Sequence, residues 1–218
     1  MSDGVTINRL LERAATSVDG GLRILDRNER GRWLPWSEIR DRARSAAGRI
    51  IAGGVAPGQR VALIYPTCAA FFDAFFGAIL AGAVPVPLYP PIRLGRLDEY
   101  HERTAAMLRV VDARLVLAEK RVRHLLGPAI ETAQPKLGCR TLDNLPQSQP
   151  KSLPVGEGDL ALVQFSSGTT VDPKPVALSH RAVVAQTVRL NGFWPDGNGV
   201  VHGGVSWLPL YHDMGLIG

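Results

Sequence analysis

The spacing of apolar positions changes repeatedly along the chain. RVALIYP (60–66), VPVPLYP (84–90) and RLVLAE (114–119) are near-continuous apolar runs, the mark of short strands buried on both faces. The stretches beside them have helical spacing: TINRLLERAATS (6–17), SEIRDRARSAAGRIIAGG (37–54), CAAFFDAFFGAILAGA (68–83), RLDEYHERTAAMLRVVDA (96–113) and RVRHLLGPAIE (121–131). Ser37 is the expected N-cap of the second helix, and Gly53-Gly54 its end. LRILD and GRWLPWSEI flank RNERG as a hairpin would, and CRTLDNL (139–145) reads as a strand.

Pro, Gly and Ser crowd LPQSQPKSLPVGEGD, which predicts a loop between two blocks. Beyond it the pattern gives a strand (LALVQFS, 160–166), a polar loop, a strand (PVALS, 175–179), a helix (HRAVVAQTVRLNGF, 180–193) and a strand (VVHGGVSWLPL, 200–210). Strands alternating with helices predict an α/β fold with a largely parallel sheet and flanking helices. The expected organisation is a first block over 1–145, a loop over 146–158 and a second block over 159–218. Ligands of such sheets bind outside the carboxyl ends of the strands.

Composition changes this picture little. The chain has 218 residues, 45% of them hydrophobic and 21% charged, which is ordinary for a globular protein. The net charge of +5 is uneven: residues 1–140 hold 21 of the 25 Lys and Arg, against 14 of the 20 Asp and Glu. The arginines there alternate with acids, as solvated helix faces do, so no nucleic-acid partner is expected. The densest basic cluster, Lys120, Arg121 and Arg123, is too small to mark a site. Cys68 and Cys139 lack metal or disulfide spacing and are expected to be buried thiols. The first residues lack a basic-then-apolar secretory leader, which points to the cytoplasm. Residues 68–88 are apolar enough to imitate a membrane span, but Asp73 and Pro85–Pro87 argue for a buried helix followed by a strand.

The candidate chemistry lies in FSSGTTVDPKPVALSH (165–180). A Walker A loop would need Gly and Ser or Thr where Pro173 and Pro175 stand, so the loop is not of that type. GNGVVH (197–202) is a poor dinucleotide fingerprint. Hydroxyls on Ser166, Ser167, Thr169 and Thr170, the flexible Gly168 and the charge of Lys174 are nonetheless suited to a phosphate. A polar hairpin turn is the plain alternative. HGGVSW (202–207) fails as a nucleophile elbow, and adjacent His212 and Asp213 do not easily make a base and its orienting acid. His212 on its own is equally compatible with a packed, hydrogen-bonded histidine.

Four ordered motifs resemble the adenylate-forming superfamily. The loop is similar to its phosphate-binding pattern [ST]-[ST]-G-[ST]-[ST]-G-x-P-K-G, matched by Ser166, Ser167, Gly168, Thr169, Thr170, Pro173 and Lys174. Val171 and Pro175 replace the two later glycines. SWLPLYHDMGLIG resembles the motif carrying a gate residue, here His212. LPWSEI resembles an early element with Trp36 for its usual Tyr, and AGAVPVPLYPP another. Within the superfamily, VPLYPP, the helix over 96–113 and YHDMGLIG look most like fatty acyl-AMP ligases, with acyl-CoA ligases second.

The resemblance implies ATP and Mg²⁺ as cofactors and a fatty acid as substrate. The acyl group would pass to an acyl carrier protein or to coenzyme A. Residues 166–174 would surround the β- and γ-phosphates, with Thr169 or Thr170 near Mg²⁺ and Lys174 supplying charge. His212 would steady charge during adenylation, and Met214 and Gly215 would begin the acyl pocket. Contact with a membrane surface stays open. Pro175 removes a backbone donor and, with Val171, stiffens a loop that relatives keep flexible. The family's adenine, ribose and acidic metal contacts and its mobile C-terminal domain lie downstream of these motifs. The expectation is therefore an incomplete N-terminal domain, inactive by itself. A degenerate, non-catalytic binding module is the other-class alternative.

Overall fold

The computed structural model describes residues 5–26, 28–91, 96–166, 173–193 and 203–217. Helix α1 (Ile7–Ala14) starts at Thr6, whose hydroxyl accepts from the Arg9 amide. Strands β1 (Gly21–Arg23) and β2 (Trp33–Pro35) form the expected antiparallel hairpin. Helix α2 (Trp36–Ala52) begins one residue before Ser37, so its N-cap is Pro35 rather than the expected serine. Pro35 keeps the extended φ/ψ that a cap requires and contributes no side-chain hydrogen bond.

The central sheet has the order β4-β3-β5-β6, and all its pairings are parallel. Its strands are β3 (Arg60–Ile64), β4 (Val84–Leu88), β5 (Ala113–Ala118) and β6 (Cys139–Arg140). The apolar runs have a direct cause. Val61 and Leu63 face one hydrophobic cluster and Ala62 and Ile64 the other, so neither face meets water. Helices α2 and α3 (Ala69–Leu80) cover the first face. Helices α4 (Leu97–Val110) and α6 (Gly127–Ala133) cover the second.

Four further expectations change locally. The helix expected over 121–131 is two pieces, α5 (Lys120–Arg123) and α6, because Gly127 and Pro128 suit a helix start better than an interior. The strand expected over 139–145 shortens to β6 and gives way to a 3₁₀ turn, Leu142–Asn144. Residues 203–210 are not a strand; Trp207 and Val205 there are 89% and 92% exposed, without the cover a strand of that composition needs. The two cysteines are half-buried rather than buried. Burial pushes the Cys139 thiol up to about 11 and raises that of Cys68 as well.

The loop over 146–158 is strapped to the first layer. The Lys151 amide donates to the Arg44 carbonyl at 3.0 Å and the Leu153 amide to that of Leu80 at 2.7 Å. Beyond it β7 (Leu160–Phe165) and β8 (Pro175–Ser179) form an antiparallel hairpin, followed by α7 (His180–Asn191), with Ser179 as N-cap. Strand β7 lies alongside β4 without a hydrogen-bonded ladder. The sequence VPVPL explains this. The Val84 amide points toward β3, bonding to Gln59, so alternation turns the nitrogens of Pro85 and Pro87 to the outer edge. That edge lacks their N–H donors, and β7 docks there by packing Val163 and Phe165 into the second cluster.

Among the described residues no helix is long and apolar enough to cross a membrane.

Candidate functional site

Three segments converge at the carboxyl ends of β3 and β7. The first is the turn after β3, where the Thr67 hydroxyl accepts from the Leu210 amide at 3.4 Å. The second is the end of β7, where the Gln164 side-chain amide donates to the Tyr211 carbonyl at 2.8 Å. The third is the segment over 208–217, anchored by Leu210, Leu216 and Ile217 on the first hydrophobic cluster. It contains the one-turn helix α8 (Asp213–Leu216).

The hydroxyl-rich loop leaves the sheet through a closed base. Phe165 and Pro175 are register partners, and the Ser166 amide donates to the Lys174 carbonyl at 3.0 Å. Ser166 is half-buried, Lys174 exposed. Pro175 is the first residue of its strand, a position that tolerates the missing N–H. Ser167, Gly168, Thr169 and Thr170 lie outside the described residues, as does Val171.

His212 is the N-cap residue of α8. Its Nδ1 lies 2.5 Å from Oδ1 of Asp213, so the two adjacent side chains do pair, contrary to the expectation from their spacing. The Met214 amide is within reach of both, 2.8 Å from the carboxylate and 3.3 Å from Nδ1. Nδ1 cannot accept from Met214 and donate to Asp213 at once. The short, charge-assisted contact dominates, which places the hydrogen on Nδ1 and gives Met214 to the carboxylate. That leaves Nε2 as the ring nitrogen open to a ligand, a donor when the ring is protonated. The elbow reading stays rejected: the Ser206 hydroxyl merely accepts from the Leu208 amide two residues on.

Met214 is 60% exposed beside this turn. Gly215 is held against backbone: a Cβ there would lie 2.3 Å from the Pro209 carbonyl oxygen. At the end of β3 the Tyr65 hydroxyl is buried and has no partner among the described residues; burial raises its phenol well above the usual range. Gln164 and Tyr65 are absent from the motif-based reading. A lone Gln in a strand and a Tyr ending one carry no pattern, and only tertiary contact brings them to the site.

The AMP-binding enzyme family matches residues 11–218. The chain belongs to that family. A Caulobacter vibrioides protein provisionally named an acyl-CoA synthetase is 34% identical, over all of this chain and 38% of its own length. The long-chain-fatty-acid–AMP ligase FadD26 of Mycobacterium marinum is 35% identical over 88% of this chain and 34% of its own. A solved structure from work on fatty acyl-adenylate ligases of E. coli and L. pneumophila superposes with a TM-score of 0.85 at 31% identity, over 99% of this chain and 39% of that one. The chain thus spans less than two fifths of the length of these relatives. The α/β architecture with a parallel central sheet is that of the N-terminal part of this family.

Proposed function

We propose that these residues form the triphosphate-gripping part of an ATP-dependent fatty acyl-AMP ligase. The observation that carries the reading is the Gln164–Tyr211 hydrogen bond, which sets the base of the phosphate-type loop beside the His212 turn. In the proposed reaction a fatty-acid carboxylate oxygen attacks the α-phosphorus of ATP. The bond to the bridging oxygen breaks, pyrophosphate leaves, and an acyl-adenylate forms. The acyl group then passes to the phosphopantetheine thiol of a carrier protein, with AMP leaving.

Negative charge gathers on the phosphate oxygens as the bond to pyrophosphate breaks, so fixed donors and a cation lower the barrier. Ser166, Ser167, Thr169, Thr170 and the amides around Gly168 are the proposed donors to the β- and γ-phosphates, and Lys174 is the proposed cation. His212, oriented by Asp213, is proposed to face the carboxylate and α-phosphate through Nε2. Met214 and Gly215 are proposed to border the acyl chain, the thioether serving as an adaptable wall. The hard hydroxyl oxygens of Thr169 and Thr170 suit magnesium. Among the described residues no group of three His, Cys, Asp or Glu could hold a metal. Bound beside the two threonines, the ion would neutralise triphosphate charge.

Fatty-acid-dependent ATP–pyrophosphate exchange by the full-length protein tests the reading. Lys174→Ala and His212→Ala should each lower the rate about 10²-fold or more, the scale of losing one charge-stabilising group. Unchanged rates in both variants would remove the assignment. The 218 residues alone should give no exchange, and exchange at the full-length rate would contradict that. Acyl transfer to coenzyme A with none to a carrier protein would replace the proposed acceptor.

A further inference from the structure

Gln164 is 5% exposed, yet its side chain is polar at both ends of the amide. The nitrogen is used, donating to Tyr211. The oxygen is buried with no partner among the described residues. The assignment of the two ends follows from chemistry, since only the nitrogen can donate to a carbonyl. A buried amide with an unmet acceptor costs about 1–3 kcal/mol relative to a satisfied one. Its neighbour on the same face of β7, Leu162, shows that the position suits an apolar side chain. Packing and stability alone would therefore favour Leu or Met at 164.

The placement supplies the reason for an amide. Gln164 is two residues before Ser166, on the strand that delivers the loop. Tyr211 immediately precedes His212. Among the described residues the other polar tie to this segment, from the turn after β3 at Thr67 to Leu210, is long at 3.4 Å. The 2.8 Å bond is thus the firm link fixing the distance between loop base and histidine turn.

We infer that Gln164 is a positioning residue for adenylation: its amide holds the Tyr211 carbonyl and thereby sets His212 beside the base of the phosphate-type loop. This rests on the function proposed above. It requires the Gln164 effect to run through His212.

A double-mutant cycle on the full-length protein tests this by pyrophosphate exchange. Gln164→Leu keeps the volume and removes the donor. It should lower kcat about tenfold to a hundredfold, the cost of misplacing a reacting group by roughly an ångström, with the KM for ATP within about twofold. In a His212→Ala background the same change should cost less than about twofold, because there is no imidazole left to position. A silent Gln164→Leu, or losses that multiply, would overturn the inference while leaving the function intact. A silent His212→Ala would also overturn the inference, whereas the function falls only if Lys174→Ala is silent as well. If Gln164→Leu does not fold, Gln164→Glu keeps the shape and sets an acceptor against the carbonyl; it should show the same kcat loss and the same dependence on His212, and the opposite result again overturns the inference.

Discussion

Arg42 grips Asp73 side-on across the α2–α3 interface, Nε to Oδ1 at 2.8 Å and Nη2 to Oδ2 at 2.6 Å. The hydrogen bond to Asp73 is the main cause holding the guanidinium pKa above its ordinary value. The pair explains how an acid sits in the most apolar stretch of the chain. The two side chains differ in burial, 33% exposed for Arg42 and 14% for Asp73. Removing Arg42 leaves a largely buried carboxylate alone, whereas removing Asp73 leaves a cation with more water and with Glu38 in reach at 3.5 Å. Arg42→Met should therefore destabilise by about 2–4 kcal/mol and Asp73→Leu by less, about 1–2 kcal/mol. Urea unfolding of both variants checks the order, and the reverse order would reject the argument.

Gly48 sits in the middle of α2, where alanine would favour the helix by about 1 kcal/mol. A Cβ there would lie 2.2 Å from the Gln149 carbonyl oxygen, a backbone atom that cannot rotate away. The strap over 146–158 would have to lift, with its bonds to Arg44 and Leu80. Overpacking of this kind costs about 1–3 kcal/mol and outweighs the propensity gain. Gly48→Ala should lower the unfolding midpoint. Gly127→Ala, with nothing within 4 Å of its Cβ, should be neutral or slightly stabilising. A stabilised Gly48→Ala would show that the strap is not held down.

The contrast between strap and sheet marks what the sequence could reveal. The strands β3, β4 and β5 are legible because burial on both faces leaves continuous apolar runs. The Pro-rich stretch over 146–158 is legible as a loop, but its seat on Gly48 is not, since a glycine in a helix has no pattern pointing to a distant carbonyl. Gly127-Pro128 breaks a helix that periodicity alone carries through. Apolar composition suggests a strand over 200–210, and the turn over 208–215 is instead built from backbone bonds that leave Val205 and Trp207 outside. At the site, the hydroxyls and Lys174 suggest the proposed phosphate chemistry through residue type. Gln164 does not, because its role depends on a contact 47 residues away.

His180 is 2% exposed and its Nδ1 accepts from the Ile7 amide at 3.3 Å, joining the start of α7 to α1. Burial lowers its pKa below 6.5, against an opposing pull from Asp159. The sign is fixed by linkage. Below 6.5 the unfolded chain binds a proton that the folded chain refuses, so stability is complete above 6.5 and declines as pH falls toward the lower folded value. The decline is at most about 1.4 kcal/mol per pH unit for this one proton. Unfolding free energies between pH 5 and 7 should show a shallower slope in His180→Gln than in the parent chain. Equal slopes would mean that His180 titrates alike in both states.

Gly215 fixes the last turn before the end of the described chain. Its amide donates to the His212 carbonyl at 3.0 Å, and the His212 amide to the Pro209 carbonyl at 3.1 Å. The site of its absent Cβ is already taken by the Pro209 oxygen at 2.3 Å and the Pro209 carbon at 2.9 Å. No rotamer relieves such a contact, so Gly215→Ala must open the turn that presents His212. This segment is half exposed and packs on the core through only a few side chains, so the damage should stay local. The expected result is a split: amides over 210–217 exchange faster and adenylation by the full-length protein falls at least about tenfold. The urea midpoint should shift less than it does for Gly48→Ala. A loss of global stability with unchanged adenylation would mean that the turn serves the fold and not the placement of His212.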